Sequence, residues 1–129
     1  MSNLTAVEIK AFVPARNFDL SKQFYQDLGF ELAWDEDGLA YFHHGNCAFL
    51  LQDFYVKQHA DNFMMHLLVE DVDAWWQNFQ ARGIAAKYGT RTEPPQDQPW
   101  GLRDFTIVDP TGVLWRIGQT IETGAGQRF

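Results

Sequence analysis

The sequence predicts an α+β fold of two tandem βαβββ modules, whose curved mixed sheets carry helices on the outer face and leave a cup-shaped cavity on the other. Three observations predict it. An alternating apolar run, an amphipathic helical stretch and three strand-like stretches occur in that order twice within 129 residues. Gly29 and Gly83 close the two helical stretches at equivalent points. One such module cannot bury both faces of its own sheet, so two must share a core. Hydrophobic residues at 46% and aromatics at 16% are enough to build that core.

Module one is expected over 6–54, a linker over 55–61, module two over 62–120 and a loose glycine-rich tail over 121–129, all in one domain. AVEIKAFV (6–13) alternates and reads as a strand ended by Pro14, with Val7, Ile9, Ala11 and Val13 on one face and Glu8, Lys10 and Phe12 on the other. NFDLSKQFYQDLG reads as a helix of about ten residues, capped by Asp19 or Asn17 and ended by Gly29. Its apolar face is Leu20, Phe24, Tyr25 and Leu28. FELAW (30–34), LAYFHH (39–44) and CAFLLQDF (47–54) read as strands, separated by the turns DEDG and Gly45-Asn46.

In the second half, NFMMHLLV (62–69) reads as a strand and EDVDAWWQNFQARG (70–83) as a helix with Val72, Trp75, Trp76 and Phe79 inward. IAAKY (84–88) is predicted as a strand and GTRTEPPQDQPWG (89–101) as a proline-rich loop. RDFTIV (103–108), the turn DPTG and VLWRIGQT (113–120) predict a hairpin with Trp115 facing the core.

Charge and composition exclude several functions. A net charge of −7 argues against nucleic acid and anionic membranes, and suits a cationic partner or a plainly solvated surface. No apolar run approaches the ~20 residues of a membrane helix. The N-terminus lacks a basic stretch followed by an apolar core, so no signal peptide is expected. The single cysteine, Cys47, permits no internal disulfide and no cysteine zinc cluster; it is expected as buried filler, and a reducing cytoplasm is the expected compartment. No glycine-rich phosphate loop, Ser-His-Asp set or Cys-His set has supporting context, and no catalytic residue is assigned.

VPARNFDLSKQFYQDLGFEL, HLLVEDVDAWWQNFQARGI and QPWGLRDFTIVDPTGVLWRIGQ, in this order, resemble the bleomycin-resistance branch of the glyoxalase, bleomycin-resistance and extradiol-dioxygenase (vicinal oxygen chelate) superfamily. The resemblance covers nearly the whole chain. It implies curved sheets whose cups take small ligands and, in bleomycin-binding members, dimers with the cups at the subunit interface.

Enzymes of that superfamily hold a metal with four ligands, one from each of four strands. The matching positions here are Glu8, Leu50 or Gln52 on the same face, Met64, and Arg116. Leu50 is no ligand, Gln52 is a poor one, Met64 is too soft for the usual divalent ions, and Arg116 repels a metal. His66 shares a face with Met64 and with Glu8 makes at most a two-ligand remnant, below the three that a catalytic site needs. No metal and no cofactor are therefore expected. Glu8 and Arg116 are expected to approach each other in the cup as a carboxylate–guanidinium pair. His43 and His44 face opposite sides of their strand, and with His59 read as surface histidines.

Trp34 lies beside the acidic turn Asp35-Glu36-Asp37, and Trp100 lies in a loop that no core stripe explains. The resemblance places both positions at the edge of the ligand groove, where indoles stack on heteroaromatic rings and cations; Trp100 as a simple loop anchor is the competing reading. Phe12, Phe42 and Phe54 are further candidates for apolar lining. The expected protein is a metal-free homodimer that sequesters a cationic or aromatic, antibiotic-like ligand, bleomycin among the candidates, using Trp34, Trp100, Phe12, Met64, His66, Arg116, Glu8 and Gln52. The alternatives are a metal-dependent glyoxalase-like lyase or dioxygenase, and a structural interaction domain with no concave site.

Overall fold

A computed structural model describes residues 2–121; of the loose tail expected over 121–129, residues 122–129 lie outside them. The order is β1 (Phe12–Ala15), α1 (Phe18–Leu28), β2 (Glu31–Glu36), β3 (Leu39–His44), β4 (Cys47–Asp53), α2 (Lys57–Asp61), β5 (Met64–Leu68), α3 (Val72–Ala81), α4 (Ile84–Tyr88), β6 (Thr92–Asp97), β7 (Leu102–Val108) and β8 (Leu114–Thr120). Two four-stranded sheets form, in the orders β1-β4-β3-β2 and β5-β8-β7-β6. In each sheet one parallel pair, β1 with β4 and β5 with β8, joins an antiparallel remainder. The two sheets are therefore the same motif twice, curved and unclosed, as the repeat predicts.

The caps explain why α1 and α3 start and stop where they do. Asn17 Oδ1 accepts the N–H of Leu20 and Asp71 Oδ1 that of Ala74, satisfying orphan donors of the first turn. Gly29 adopts φ +123°, a conformation that a side chain resists, and its N–H returns to Tyr25 O and Gln26 O. Phe24, Tyr25 and Leu28 are buried, as the helical spacing requires. Leu20 is exposed, and Ser21 takes the inward position instead.

One core joins the modules. The Tyr25 ring packs on Phe42 and Phe49 of the first sheet and on Trp115 of the second, with centroids 4.9–5.9 Å apart. Trp115, 2% exposed, also meets Phe30 and Phe49, as its expected inward facing demands. Trp75 and Trp76 are only partly buried against this cluster, while Val72 and Phe79 are fully inside. A second seam is polar. Asp27 at the end of α1 accepts from Lys87 Nζ at 2.7 Å and Tyr88 Oη at 2.6 Å. Lys87 and Tyr88 hold its carboxyl below the usual range, although desolvation, the largest single influence, acts upward.

Several expectations are corrected. The first strand begins at Phe12, not at residue 6, and runs through Pro14 to Ala15. Pro14 is tolerated because β1 is an edge strand and needs no second ladder partner. Residues 2–11 lie outside helices and strands, and Val7 and Ile9 are 96% and 95% exposed. Among the described residues no apolar surface covers the alternating side chains Val7 and Ile9. IAAKY is helix α4, not a strand: Gly83 at φ +62° reverses the chain, and Lys87 N–H bonds back to Gly83 O. The fourth strand of the second sheet comes instead from TEPPQD, inside the expected loop; its two prolines sit on an edge strand at a register shift between Glu93 and Gln96. The linker contains α2. Cys47 is exposed, because it opens β4 at a tight turn rather than in the strand's buried middle. No helix among the described residues is long and apolar enough to cross a membrane.

Candidate ligand-binding site

Alternation along each strand divides core from cup. In the first sheet Val13, Phe42, Phe49 and Leu51 face the core, so their neighbours Phe12, Tyr41 and Leu50 face the other way. Phe12 pairs with Leu50 across the parallel β1–β4 ladder. Trp34 pairs with Tyr41 at a register shift in β2, and their rings lie 5.9 Å apart. Phe12 and Trp34 are about half exposed, at 48% and 45%. Gln52 lies further along β4 beside Pro14. Phe42 is core rather than lining.

The segment before β1 lies over this face. Ala11 O accepts the N–H of Leu50. Glu8 Oε2 accepts from Tyr41 Oη at 2.6 Å, and Glu8 Oε1 pairs with Lys10 Nζ at 2.6 Å. Lys10 Nζ also stands 5.6 Å from the Tyr41 ring centroid. The hydrogen bonds from Lys10 and then Tyr41 hold the Glu8 carboxyl below its ordinary range, and Glu8 in turn raises the Tyr41 phenol. Beside these groups is an open recess of about 590 Å³, lined by Val7, Glu8, Ala33, Tyr41, His43, Gly45, Asn46 and Ala48.

In the second sheet, Leu67, Phe105, Ile107, Trp115 and Ile117 face the core. Met64, His66, Asp104 and Arg116 alternate with them. His66 pairs with Arg116 across β5–β8, and Met64 with Leu114. Arg116 Nη1 donates to Asp104 Oδ2 at 3.2 Å, and Gln98 Nε2 to Asp104 Oδ1 at 3.1 Å. Asp104 is 2% exposed at its side chain and Arg116 34%, so a buried carboxylate presents a cation to the cup. A recess of about 340 Å³ opens here between Arg116, Gln98 and Pro94. Gly118 leaves room for this set: a Cβ there would stand 3.1 Å from Asp104 Cβ and 3.5 Å from His66 Nε2. Trp100, 43% exposed, sits at the β6–β7 turn next to Gly101.

The expected Glu8–Arg116 pair does not form. Glu8 bonds to Tyr41 and Lys10 over the first sheet, and Arg116 bonds to Asp104 on the second. The expectation assumed that Glu8 sits on the first strand, whereas β1 begins four residues later. The 54-residue offset that relates the caps Asn17 and Asp71 relates Phe12 to His66. The two parallel ladders thus meet at Phe12–Leu50 and His66–Arg116. Of these four side chains only His66 binds divalent metals well, so the arrangement does not fit the superfamily's metal. Among the described residues no three His, Cys, Asp or Glu side chains gather to hold an ion.

Tyr41, Lys10, Asp104 and Gln98 were not among the sequence candidates. The signal for Tyr41 and Asp104 was present, since each adjoins an aromatic that packs inward, Phe42 or Phe105. Lys10 and Gln98 carry no comparable pattern.

Residues 8–117 match the family described as the Glyoxalase/Bleomycin resistance protein/Dioxygenase superfamily. A bleomycin resistance protein of Klebsiella pneumoniae is 27% identical over 113 residues, covering 83% of this chain and 87% of that protein. The crystal structure of a bleomycin-binding protein complexed with bleomycin superposes with a TM-score of 0.76 at 26% identity, covering 88% of this chain and 98% of that one. A bleomycin resistance determinant encoded on the transposon Tn5 does so with the same TM-score at 25% identity, covering 88% of this chain and 97% of its own.

Proposed function

Because the chain belongs to the Glyoxalase/Bleomycin resistance protein/Dioxygenase superfamily, we propose that it is a small-molecule binding protein that sequesters a cationic, aromatic, bleomycin-like antibiotic without making or breaking a bond. One observation carries this reading: Trp34 and Tyr41, with rings 5.9 Å apart, stand beside the Glu8 carboxylate on the open side of the first sheet. Flat aromatic faces next to an anion suit a planar, positively charged guest. The similarity to a protein solved with bleomycin supports the same ligand class.

In this reading Trp34, Phe12, Glu8 and Gln52 act from the first sheet, and Met64, His66 and Arg116 from the second, with Trp100 at the rim. The aromatic groups stack and the polar groups fix orientation. Lyase or dioxygenase chemistry is not favoured, since of the four strand positions that would hold its metal only His66 carries a ligand, the others being Phe12, Leu50 and Arg116.

The working form is proposed to be a homodimer. Leu4, Val7 and Ile9 are more than nine-tenths exposed, and Met64 and Leu68 of edge strand β5 are 55% and 48% exposed. A second copy would cover such apolar side chains. Light scattering should give twice the 14.9 kDa of the chain; a single-chain mass at micromolar concentration would contradict the dimer. The cytoplasm is the proposed compartment, in keeping with a chain whose one cysteine allows no internal disulfide.

A tryptophan-fluorescence titration with metal-free bleomycin tests the function. Saturable quenching at micromolar or tighter affinity supports sequestration. A flat titration with correctly folded protein overturns the bleomycin-like assignment.

A further inference from the structure

We propose that Lys10 is an internal stand-in for the ligand's positive charge: its ammonium occupies a seat made by the Glu8 carboxylate and the Tyr41 ring, and a cationic ligand binds by displacing it. The inference rests on the sequestration reading and names the part of the site that selects a cation.

The seat is defined by three contacts. Tyr41 Oη donates to Glu8 at 2.6 Å and so holds one carboxylate oxygen in place over the sheet. The other oxygen meets Lys10 Nζ at 2.6 Å. The same ammonium lies 5.6 Å from the Tyr41 centroid, within cation–π range. Trp34 continues the aromatic surface beyond Tyr41. A carboxylate, a phenol ring and a neighbouring indole form a receptor for an alkylammonium or guanidinium group, and Lys10 already demonstrates that the seat takes one.

Lys10 is poorly explained as a structural clamp. It pairs with a residue only two positions away in a segment that belongs to no strand. The segment is held to the sheet elsewhere, through Ala11 O and Leu50 N–H. Glu8 and Lys10 turn toward Tyr41 while Val7 and Ile9, between and beside them, stay exposed.

Displacement is inexpensive. The Glu8 and Lys10 side chains are 28% and 27% exposed, so water reaches both. A lysine ammonium is strongly hydrated and sits on a flexible stem, and it can swing into solvent without moving the backbone. The recess lined by Glu8 and Tyr41, about 590 Å³, has room for the ring system that carries the incoming cation. Because Lys10 is tethered, it competes as an intramolecular ligand with an effective concentration in the millimolar range. Weak cations are excluded by this competitor, and only a guest that adds aromatic stacking to its charge displaces it.

The test uses benzyltrimethylammonium as a probe, its neutral isostere neopentylbenzene as a control, and calorimetric titration of the full chain. Lys10→Met, which retains the stem, should tighten benzyltrimethylammonium binding about tenfold while changing neopentylbenzene little. Adding Glu8→Gln to Lys10→Met should abolish that gain. Equal affinities in wild type and Lys10→Met overturn the proposal, as does an equal gain for the neutral isostere or a gain that survives Glu8→Gln. Metal-free bleomycin separates the two readings. Probe binding governed by Lys10 without bleomycin binding keeps the cation seat and removes the bleomycin-like function. Bleomycin binding that both substitutions leave unchanged keeps that function and removes the seat.

Discussion

Tyr25 of α1 donates its hydroxyl hydrogen to Asp109 at the β7–β8 turn and accepts the indole N–H of Trp115 at 2.8 Å. The other oxygen of Asp109 accepts backbone N–H groups from Thr111, Gly112 and Val113 at 2.8–3.0 Å. One buried carboxylate thus closes the turn of the second module and ties it to the first helix. Burial pushes both the Asp109 carboxyl and the Tyr25 phenol upward. Thr111 adds to the same joint, meeting Ser21 Oγ at 3.3 Å and the N–H of Arg16 at 3.1 Å.

Replacing Tyr25 by Phe keeps the ring packing and strands two partners, an Asp109 oxygen and Trp115 Nε1. The expected cost is about 1–3 kcal/mol, read as a lower midpoint in urea unfolding. A variant as stable as wild type would mean that the hydroxyl does not hold the modules together.

Arg116→Met should leave the buried Asp104 carboxylate without its guanidinium partner, with the Gln98 amide still donating to it. A loss of roughly 2 kcal/mol is expected, reduced from the fully buried case because Arg116 is itself a third exposed. Adding Asp104→Asn removes the stranded charge and should recover part of the loss. If the double variant is less stable than Arg116→Met, the pair does not act through charge burial.

Under the sequestration reading, Trp34→Ala and Trp100→Ala should each weaken bleomycin binding at least about tenfold with unchanged thermal stability, since both indoles are nearly half exposed. Unchanged affinity in the Trp100 variant would make that indole a loop anchor.

Asp27 supplies an acid-sensitive seam. Its folded-state pKa lies below the unfolded value, so the ionised form is the one that folding favours. The contribution is complete above about pH 4 and is lost as pH falls through the folded-state pKa. Asp27→Asn should be less stable than wild type at pH 7, and the gap should narrow at pH 3. A gap that widens on acidification would reverse the assigned direction.

Much of this architecture was legible in the chain. Gly29 ends the first helix, Asn17 is one of its two candidate caps, and DPTG announces the last hairpin, because caps and turns are set by a few neighbouring residues. Trp115 was legible as core from alternation alone. What local pattern left open was decided by partners distant in sequence. The same alternation that makes β1 continues back to residue 6, yet only Phe12–Ala15 finds β4 to pair with. TEPPQD becomes a strand because β7 offers it an edge, and IAAKY becomes a helix because Ile84 fills the core and Lys87 and Tyr88 meet Asp27. The cups follow the same division. Their aromatic and charged residue types are written in the sequence, whereas the pairings Glu8 with Tyr41 and Arg116 with Asp104 come from strand register, which an unpaired strand does not possess.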